Sequence, residues 1–493
     1  MSISRRNLLQ IMGVGGAGLL AGASRGGQSM PMSHDMSGMG DMAGMSMDME
    51  APPGPVESNL PADMMPPTNL QRHPQGYLPV RTLNGWTLPY QLKDGVKEFH
   101  LVAEEVEHEF APGARAKCWG YNGTTPGPTI EAVEGDRVRI YVTNRLGEHT
   151  SVHWHGIDLP SGYDGVGGLS QPHIRPGETY VYEFTLRQHG THMYHPHADE
   201  MTQIAFGMVG LFIIHPRQPE EVRIDRDYAF ILHNWALHPG TYRPDPAVMQ
   251  NFDIWTFNSK AFPAIESLVM RTGERMRIRI GNISMWNHPI HLHSNPFWVT
   301  GSDGGRWPRS QWRREVTEIV GVGQMRDIEF VATEPGDWAL HCHMSHHTMG
   351  PMGHDLPNTV GVDQSGVEAQ VQKFLPDYMA MGKNGMAEHA GHVAMGMLKG
   401  PANTLPMATG EGPYGPLEMG GMFTVVKVRD DLPRGDYRDP GWYKSPEGKM
   451  ARRVSSAPDF GSPHRMNPYG APAAEAPSTP APAHGMDHSG HDM

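Results

Sequence analysis

Four histidine pairs of the form His-x-His run through the chain, and the last pair encloses a cysteine. The pairs are His153/His155, His195/His197, His291/His293 and His341/His343. In a β-strand, residues i and i+2 point to the same face, so each pair can direct two imidazoles at one point. This many convergent imidazoles suits a cluster of several transition-metal ions, and copper is well matched to imidazole. Cys342, inside the fourth pair, indicates a link between two metal sites.

A second set of donors continues from the fourth pair. A blue-copper site needs a thiolate, two imidazoles and a weak thioether. Three such donors lie within one loop: Cys342, His347 and Met352. His346 and Met349 compete with them as imidazole and thioether, and His288, just before the third pair, is the leading second imidazole. A zinc site or a generic histidine cluster is the alternative, although zinc gains nothing from a thioether.

The elements that must position these residues are strands, and they occur as an internal repeat. Residues 128–156 and 263–294 share a Pro-x-Ile-Glu start, an alternating strand and a histidine pair. Residues 182–195 and 328–341 share a Glu-Phe strand end, a glycine and a second pair. Short alternating strands separated by Gly and Pro turns predict a β-sandwich for each unit. No sustained helical pattern is present, and one unit with two histidine pairs occurs twice.

Composition limits the function and the compartment. The 493 residues carry a net charge of −13, with no basic stripe, so nucleic acid is not an expected partner. Hydrophobic residues make up only 38%, whereas Met (35) and His (29) are abundant, as expected for a chain with biased unfolded segments. Of the two cysteines, Cys118 matches no ligand pattern and is expected to be a buried small residue.

The ends of the chain are expected to be targeting and disordered segments. Arg5-Arg6 before a short apolar stretch resembles a twin-arginine export signal, and that stretch is too short to span a bilayer. The mature protein is therefore expected to be periplasmic or otherwise extracytoplasmic, without a membrane span. The predicted organisation is a signal at 1–24, a Met- and Pro-rich disordered linker at 25–75, a first domain at 76–218, a second at 219–432 with a Met/His-rich insertion at about 353–418, and a disordered tail at 433–493.

Taken in order, the four motifs resemble the copper-binding motifs of the multicopper oxidases: His-x-His-Gly, Tyr-His-x-His, His-Pro-x-His-x-His and His-Cys-His with a downstream His and Met. The resemblance extends over about 90–430. With two repeated units and Cys342 in the second, the chain is most similar to the two-domain, laccase-like members. That likeness implies an all-β fold of two cupredoxin-like Greek-key sandwiches.

The resemblance also implies ligand roles and about four copper ions per chain, one type 1, one type 2 and two type 3. The type 1 positions are His288, Cys342, His347 and Met352. The type 2 positions are His153 and His291. The type 3 positions are His155, His195, His197, His293, His341 and His343.

Three further positions complete the comparison with the family. Asp164, in Asp-Gly after the first motif, is the candidate for proton delivery to bound oxygen, with a plain turn residue as the alternative. Thr348 stands where many members have an acidic residue. His192 stands where an aromatic residue is common, and we expect it to support the site or the core and not to bind metal.

The implied function is an oxidase that takes single electrons from a phenol, an aromatic amine or a metal ion such as Cu(I) and reduces O2 to water. In the family, the reducing substrate approaches an exposed histidine edge, here His347. Because each unit supplies half of the imidazoles, the resemblance implies a homotrimer in which units of neighbouring subunits meet. The alternatives are a copper-binding or sequestering protein without turnover, and a copper nitrite reductase.

Overall fold

The computed structural model describes residues 76–348 without 239, residues 365–373 without 372, and residues 410–458 without 418 and 457. The predicted signal, the linker, most of the insertion, the end of the tail, and Met349 and Met352 lie outside the described residues. Within the described part, no helix is long and apolar enough to cross a membrane. The regular secondary structure of the described chain is almost entirely β-strand, as the sequence predicts.

The first sandwich contains the strands from Gln91 to His215. In chain order, after β1 (Arg81–Thr82), they are β2 (Gln91–Lys93), β3 (Val96–Ala111), β4 (Ala114–Tyr121), β5 (Ile130–Val133), β6 (Arg137–Asn144), β7 (His153–His155), β8 (Thr179–Thr185), β9 (Gly190–His195) and β10 (Gly210–His215). One short helix, α1 (Glu200–Ala205), follows β9. Strands β2, β3, β4, β6 and β8 form one sheet, and β5, β10, β9 and β7 form the facing sheet.

The second sandwich repeats this plan with more strands. They are β11 (Arg226–Trp235), β12 (Ile254–Phe257), β13 (Leu268–Arg271), β14 (Arg275–Asn282), β15 (His288–Leu292), β16 (Phe297–Ser302), β17 (Gly305–Arg306), β18 (Arg313–Glu315), β19 (Thr317–Val320), β20 (Met325–Val331), β21 (Gly336–Cys342), β22 (Gly410–Gly412), β23 (Gly415–Leu417) and β24 (Phe423–Arg429). A short helix, α2 (Ser365–Val371), lies between β21 and β22. Strands β13, β24, β21, β15 and β19 form the sheet that carries the third and fourth histidine pairs.

Alternation of apolar and polar residues explains why these segments are strands. In β6, every second side chain is buried, and the buried set joins a core that includes Ile140, Trp154 and Phe212. The second sandwich has its own core, which includes Cys342 and Trp255. Each sandwich therefore buries one apolar face of each of its two sheets, as layered β-proteins do.

The two sandwiches share backbone and side-chain contacts. Strand β1 precedes the first sandwich in sequence, yet it pairs in parallel with β11 of the second. Thr191 donates its hydroxyl hydrogen to Asp327 at 2.7 Å, and Arg279, which contacts Thr191, makes a two-point ion pair with Asp227 at 2.9 Å. Charged groups this deeply buried persist because they are paired and hydrogen-bonded. The junction therefore fixes the two histidine-bearing sheets within one body.

The segment that follows Pro433 departs from the expected disordered tail. Residues 433–456 are described, and Tyr437 is only 5% exposed. Arg226 donates to the Asp436 carbonyl, and Lys427 pairs with Asp439 at 2.7 Å. Composition shows that this segment is rich in proline and charge, but it does not show that Tyr437 and Asp439 contact the second sandwich. The predicted start of the disordered tail, at residue 433, is therefore too early.

Candidate metal centre

The first two histidine pairs converge at one end of the first sandwich. His153, His155 and His195 bring ring nitrogens within 4.8 Å of one another. The cause is strand register, since His153 on β7 lies opposite His195 on β9. The ring of His197 lies 5.7 Å from that of His153. These four residues are called the first half-cluster.

Backbone carbonyls orient the rings of the first half-cluster. The Nδ1–H of His153 donates to the Asp164 carbonyl at 2.8 Å, and that of His195 donates to the Pro196 carbonyl at 2.9 Å. Because a carbonyl only accepts, these bonds fix the tautomer and leave Nε2 as the lone-pair donor. The Asp164 carboxylate lies 3.4 Å from His153 Nδ1 and is partly exposed, so it is close to a candidate ligand and open to water.

The third and fourth pairs form a second half-cluster of His291, His293, His341 and His343. His291 on β15 lies opposite His341 on β21, which repeats the register of the first sandwich. The His293 and His341 Nε2 atoms are 3.1 Å apart, and the ring of His343 lies 5.3 Å from that of His291. His291 Nδ1 donates to the Val316 carbonyl at 2.7 Å, again leaving Nε2 for a metal.

The two half-clusters are separate within one chain. Among the described residues, no ring contact joins an imidazole of one set to an imidazole of the other, and each convergent group draws its ligands from a single sandwich. Large exposed apolar side chains lie near both sets. Met201, Met285 and Val322 line the cavity at the first set, and Val316 and Ile319 lie beside β15, which carries His291. Apolar side chains grouped in this way on a surface are typical of a protein interface.

The thiolate site lies at the end of β21 in the second sandwich. Cys342 Sγ is 3.3 Å from His347 Nδ1 and 3.5 Å from His288 Nδ1, and the two Nδ1 atoms are 3.1 Å apart. All three side chains are buried. Donors that bind one ion at about 2.0–2.3 Å lie about 3.3–3.8 Å from one another. One thiolate and two imidazoles at this spacing fit a copper ion.

Burial shifts the pKa values of this donor set. It raises the pKa of the Cys342 thiol to about 12 and lowers that of His288 to about 3. For His347, burial and the neighbouring His288 lower the pKa to about 2. Both imidazoles are therefore neutral and ready to bind metal at pH 7, whereas the thiol must release its proton when a metal binds.

The surroundings of His347 differ from the expectation of an exposed ring edge. Its side chain is fully buried, because Trp255 stacks on the imidazole with ring centroids 3.6 Å apart. His346, the competing imidazole, is exposed and outside the convergent donor group. The expectation was wrong because nothing near His347 in sequence signals an indole that arrives from β12.

Cys342 connects the thiolate site to the second half-cluster through the backbone. It is the immediate neighbour of both His341 and His343, and the Cys342 carbonyl accepts the Nδ1–H of His341 at 2.8 Å. The side chains of His341 and Cys342 point to opposite faces of the strand. One strand end can therefore serve two metal sites without a further connecting element.

The remaining predicted residues have structural surroundings. His192 is buried between the sandwiches, and neither of its ring nitrogens has a hydrogen-bond partner in the described chain. Cys118 is fully buried in an apolar cluster, as expected. Thr348 is buried and donates its hydroxyl hydrogen to the Ser345 carbonyl at 3.0 Å. Sequence reasoning missed Trp255, and also Ser284, whose hydroxyl lies 2.7 Å from His288 Nε2.

Comparison with known families places this fold and these donor groups in one class. Two domain models, both described as multicopper oxidase, match residues 103–219 and 239–361. The chain belongs to the multicopper oxidase family, and the metal of that family is copper. The matched regions contain both half-clusters and the Cys342 site.

Particular relatives refine this assignment. The chain is 42% identical over 154 residues to a copper resistance protein A homolog of Pseudomonas syringae pv. tomato, which is 31% of this chain and 26% of that protein. It is 44% identical over 124 residues to copper resistance protein A of Escherichia coli, which is 25% of this chain and 20% of that protein. The alignments thus span about a quarter or less of these relatives. The blue copper oxidase of Nitrosomonas europaea shares the fold, with a TM-score of 0.52 and 22% identity over 70% of this chain and 91% of that one.

Proposed function

We propose that the protein is an oxidase that couples one-electron oxidation of a reducing substrate to four-electron reduction of O2 to water. The observation that carries the proposal is the chain position of Cys342. Its thiol belongs to one donor group, and the two residues that flank it, His341 and His343, belong to another. A protein that only stores metal has no need of a covalent path between two sites.

The proposed ligand roles are those that the resemblance to the family implies. His288, Cys342 and His347, with Met352, would hold the type 1 copper. His153 and His291 would hold the type 2 copper, and the other six histidines of the half-clusters would hold the type 3 pair. When bound, copper supplies the one-electron chemistry and the site of O2 reduction. The backbone carbonyls that accept Nδ1–H of His153, His195, His291 and His341 fix the imidazoles so that little reorganisation is needed.

Asp164 is the proposed proton donor to the reacting oxygen. Its carboxylate lies 3.4 Å from the His153 ring and reaches solvent, so it can take up protons from water beside the first half-cluster. A positioned acid contributes about 10²–10⁴-fold to a rate. Replacement of Asp164 by Asn is expected to lower kcat by about 100-fold while copper content and blue colour stay unchanged. Loss of copper in this variant would show instead that Asp164 is structural.

We further propose that the oxygen site is completed between subunits of a homotrimer. Each chain offers two separate half-clusters with exposed apolar side chains nearby, so the first half-cluster of one subunit can meet the second half-cluster of the next. Contacts of this head-to-tail kind close into rings. A mass in solution of one chain for the fully active, copper-loaded protein would contradict this proposal.

The proposed substrates are phenols, aromatic amines or Cu(I), and the proposed compartment is outside the cytoplasm. The named relatives are copper resistance proteins, which favours a role in copper tolerance and Cu(I) as the natural donor. The decisive experiment measures O2 uptake by the copper-loaded protein with Cu(I) and with a phenol. Four electrons consumed per O2 support the oxidase, and copper binding without O2 uptake supports the sequestering alternative.

A further inference from the structure

Trp255 lies over the thiolate site although it belongs to a strand far from Cys342 in sequence. It is the second residue of β12, where it lies opposite Asn234 of β11. Its indole is parallel to the His347 ring, with centroids 3.6 Å apart and planes 21° apart. It also contacts His288 edge-on at 5.8 Å. One side chain, itself 4% exposed, therefore touches both imidazoles of the donor group.

The two imidazoles of this site are held in different ways. His288 presents Nδ1 to Cys342, and its Nε2 lies 2.7 Å from the Ser284 hydroxyl. His347 also presents Nδ1 to Cys342, but its Nε2 has no hydrogen-bond partner in the described chain. An imidazole ligand is usually oriented by a hydrogen bond at its second nitrogen. At His347, the parallel indole takes the place of that bond.

Neighbouring rings hold the indole of Trp255 in turn. Trp286 meets it edge-on at 6.2 Å, and Phe252 meets it edge-on at 5.7 Å. Such edge-to-face contacts are favourable beyond the apolar area that they bury. The indole is therefore confined, and the His347 ring beneath it has little freedom to rotate or to meet water.

We propose that Trp255 is a positioning residue that orients His347 toward Cys342 and His288 and closes its Nε2 to solvent. The inference depends on the proposed function only in that copper binds at this site. Exclusion of water from a metal site lowers its local dielectric and raises its reduction potential, because the more highly charged oxidised ion loses solvation. A reducing substrate then meets the rings around Trp255 and not the imidazole itself.

The test compares Trp255→Leu and Trp255→Phe with the copper-loaded wild type. Loss of the ring in Trp255→Leu is expected to shift the blue absorption band and the electron paramagnetic resonance spectrum, lower the reduction potential, and weaken copper binding by about tenfold. Trp255→Phe keeps a stacking ring and is expected to restore most of each property. An unchanged spectrum and potential in Trp255→Leu would overturn the proposal.

Trp235→Leu is the matched control for loss of a buried indole. Trp235 is 1% exposed and packs in a separate apolar cluster, so its removal is expected to cost stability but leave the blue spectrum unchanged. If Trp235→Leu shifts the spectrum as much as Trp255→Leu does, the shift comes from a general loss of core packing and the proposal is wrong.

A measurement on the wild type keeps the test independent of any variant that does not fold. Pulsed magnetic resonance in D2O detects deuterons near a paramagnetic copper. At the blue site only weakly coupled deuterons of exchanged N–H groups are expected, and no strongly coupled water deuteron. Strongly coupled deuterons there would overturn the closed site. A wild-type protein that binds copper without a blue spectrum would contradict the proposed function instead, so the two failures are distinguishable.

Discussion

His291 lies directly opposite His341 across the antiparallel strands β15 and β21. His153 lies opposite His195 across β7 and β9 in the same register. Each sandwich thus presents four imidazoles at one end of one strand pair, which is half of what a three-copper site needs. Under the proposed assignment, the duplication seen in the sequence is a duplication of half-sites, and the whole site is expected to be completed between two subunits.

The exposed apolar residues beside the half-clusters are expected to form the subunit contact. Ile319, 58% exposed on β19, lies opposite Pro289 beside the second half-cluster. In Ile319→Asp, a charge that must be buried without a partner is expected to disrupt the assembly. Light scattering should then report the mass of one chain, and the protein should lose about three of four coppers but keep its blue colour.

Val181→Asp is the control for this prediction. Val181 is 50% exposed on β8, away from both half-clusters, so the variant should keep the oligomeric mass and all copper. Full copper content and O2 uptake in a monomeric Ile319→Asp protein would exclude a cluster shared between subunits.

Cys342→Ser is expected to separate the two kinds of metal site. Serine keeps the size of the side chain but removes the thiolate, so the blue band should disappear and the copper content should fall by about one ion. The half-clusters do not include the sulfur and should keep their copper. O2 uptake driven by a phenol should fall below detection, and unchanged turnover would refute transfer through Cys342.

Gly165 is expected to be essential for the position of His153. Its φ is +85°, and a Cβ added there would lie 1.7 Å from the Val152 carbonyl oxygen, next to His153. In Gly165→Ala, the Asp164–Gly165 turn must move away, so His153 loses the carbonyl that fixes its ring. The cluster copper and O2 uptake should be lost, whereas the blue site in the other sandwich should persist.

Gly177→Ala separates this collision from backbone strain alone. Gly177 has a φ of +81°, but a Cβ there would have nothing within 4 Å. Backbone strain at this position lowers the free energy of unfolding by about 1–2 kcal/mol. The unfolding temperature of Gly177→Ala should therefore fall, while its O2 uptake stays near that of the wild type. Equal loss of activity in both variants would show that the turn at Gly165 has no special role.

Buried histidines outside the metal sites make stability depend on pH. Burial and the nearby Lys260 lower the pKa of His108 to about 3, and its Nε2 donates to the Ser259 carbonyl at 2.6 Å. The unfolded chain takes up this proton near pH 6.5, so between about pH 3 and 6.5 it binds more protons than the folded chain. The contribution of His108 to the free energy of unfolding therefore increases as the pH rises from about 3 to about 6.5, and it is lost as the pH falls through the same range.

The variant His108→Gln tests this pH dependence. A glutamine amide can still donate to the Ser259 carbonyl but does not titrate. The free energy of unfolding of the variant should therefore fall less between pH 6.5 and pH 4 than that of the wild type. Chemical unfolding at several pH values measures the difference, and exposed His238→Gln provides the control. A steeper acid dependence in His108→Gln than in the wild type would contradict the argument.

The sequence predicts correctly those features of the fold that depend on residues close together in the chain. The spacing of His153/His155 and His291/His293 indicated strands, and the repeat indicated two sandwiches, because alternation and turn chemistry act within a few residues. The stack on His347 depends on Trp255 in another strand, and the docking of Tyr437 depends on a surface of the second sandwich. Neither contact leaves a periodic signal, so an exposed His347 and a disordered tail from residue 433 were expected where the structure has buried groups.

Trp286 is expected to be a surface contact for aromatic reducing substrates. It is partly exposed, it packs edge-on against both Trp255 and exposed His346, and His347 beneath them is buried. We therefore expect a phenol to contact the Trp286 edge before any metal ligand. Removal of one aromatic contact costs about 0.5–1.5 kcal/mol, so Trp286→Leu should lower kcat/KM for a phenol by up to about tenfold. Steady-state O2 uptake measures this effect, which should appear in KM. Wild-type kinetics in Trp286→Leu would show that the substrate contacts another face of the protein.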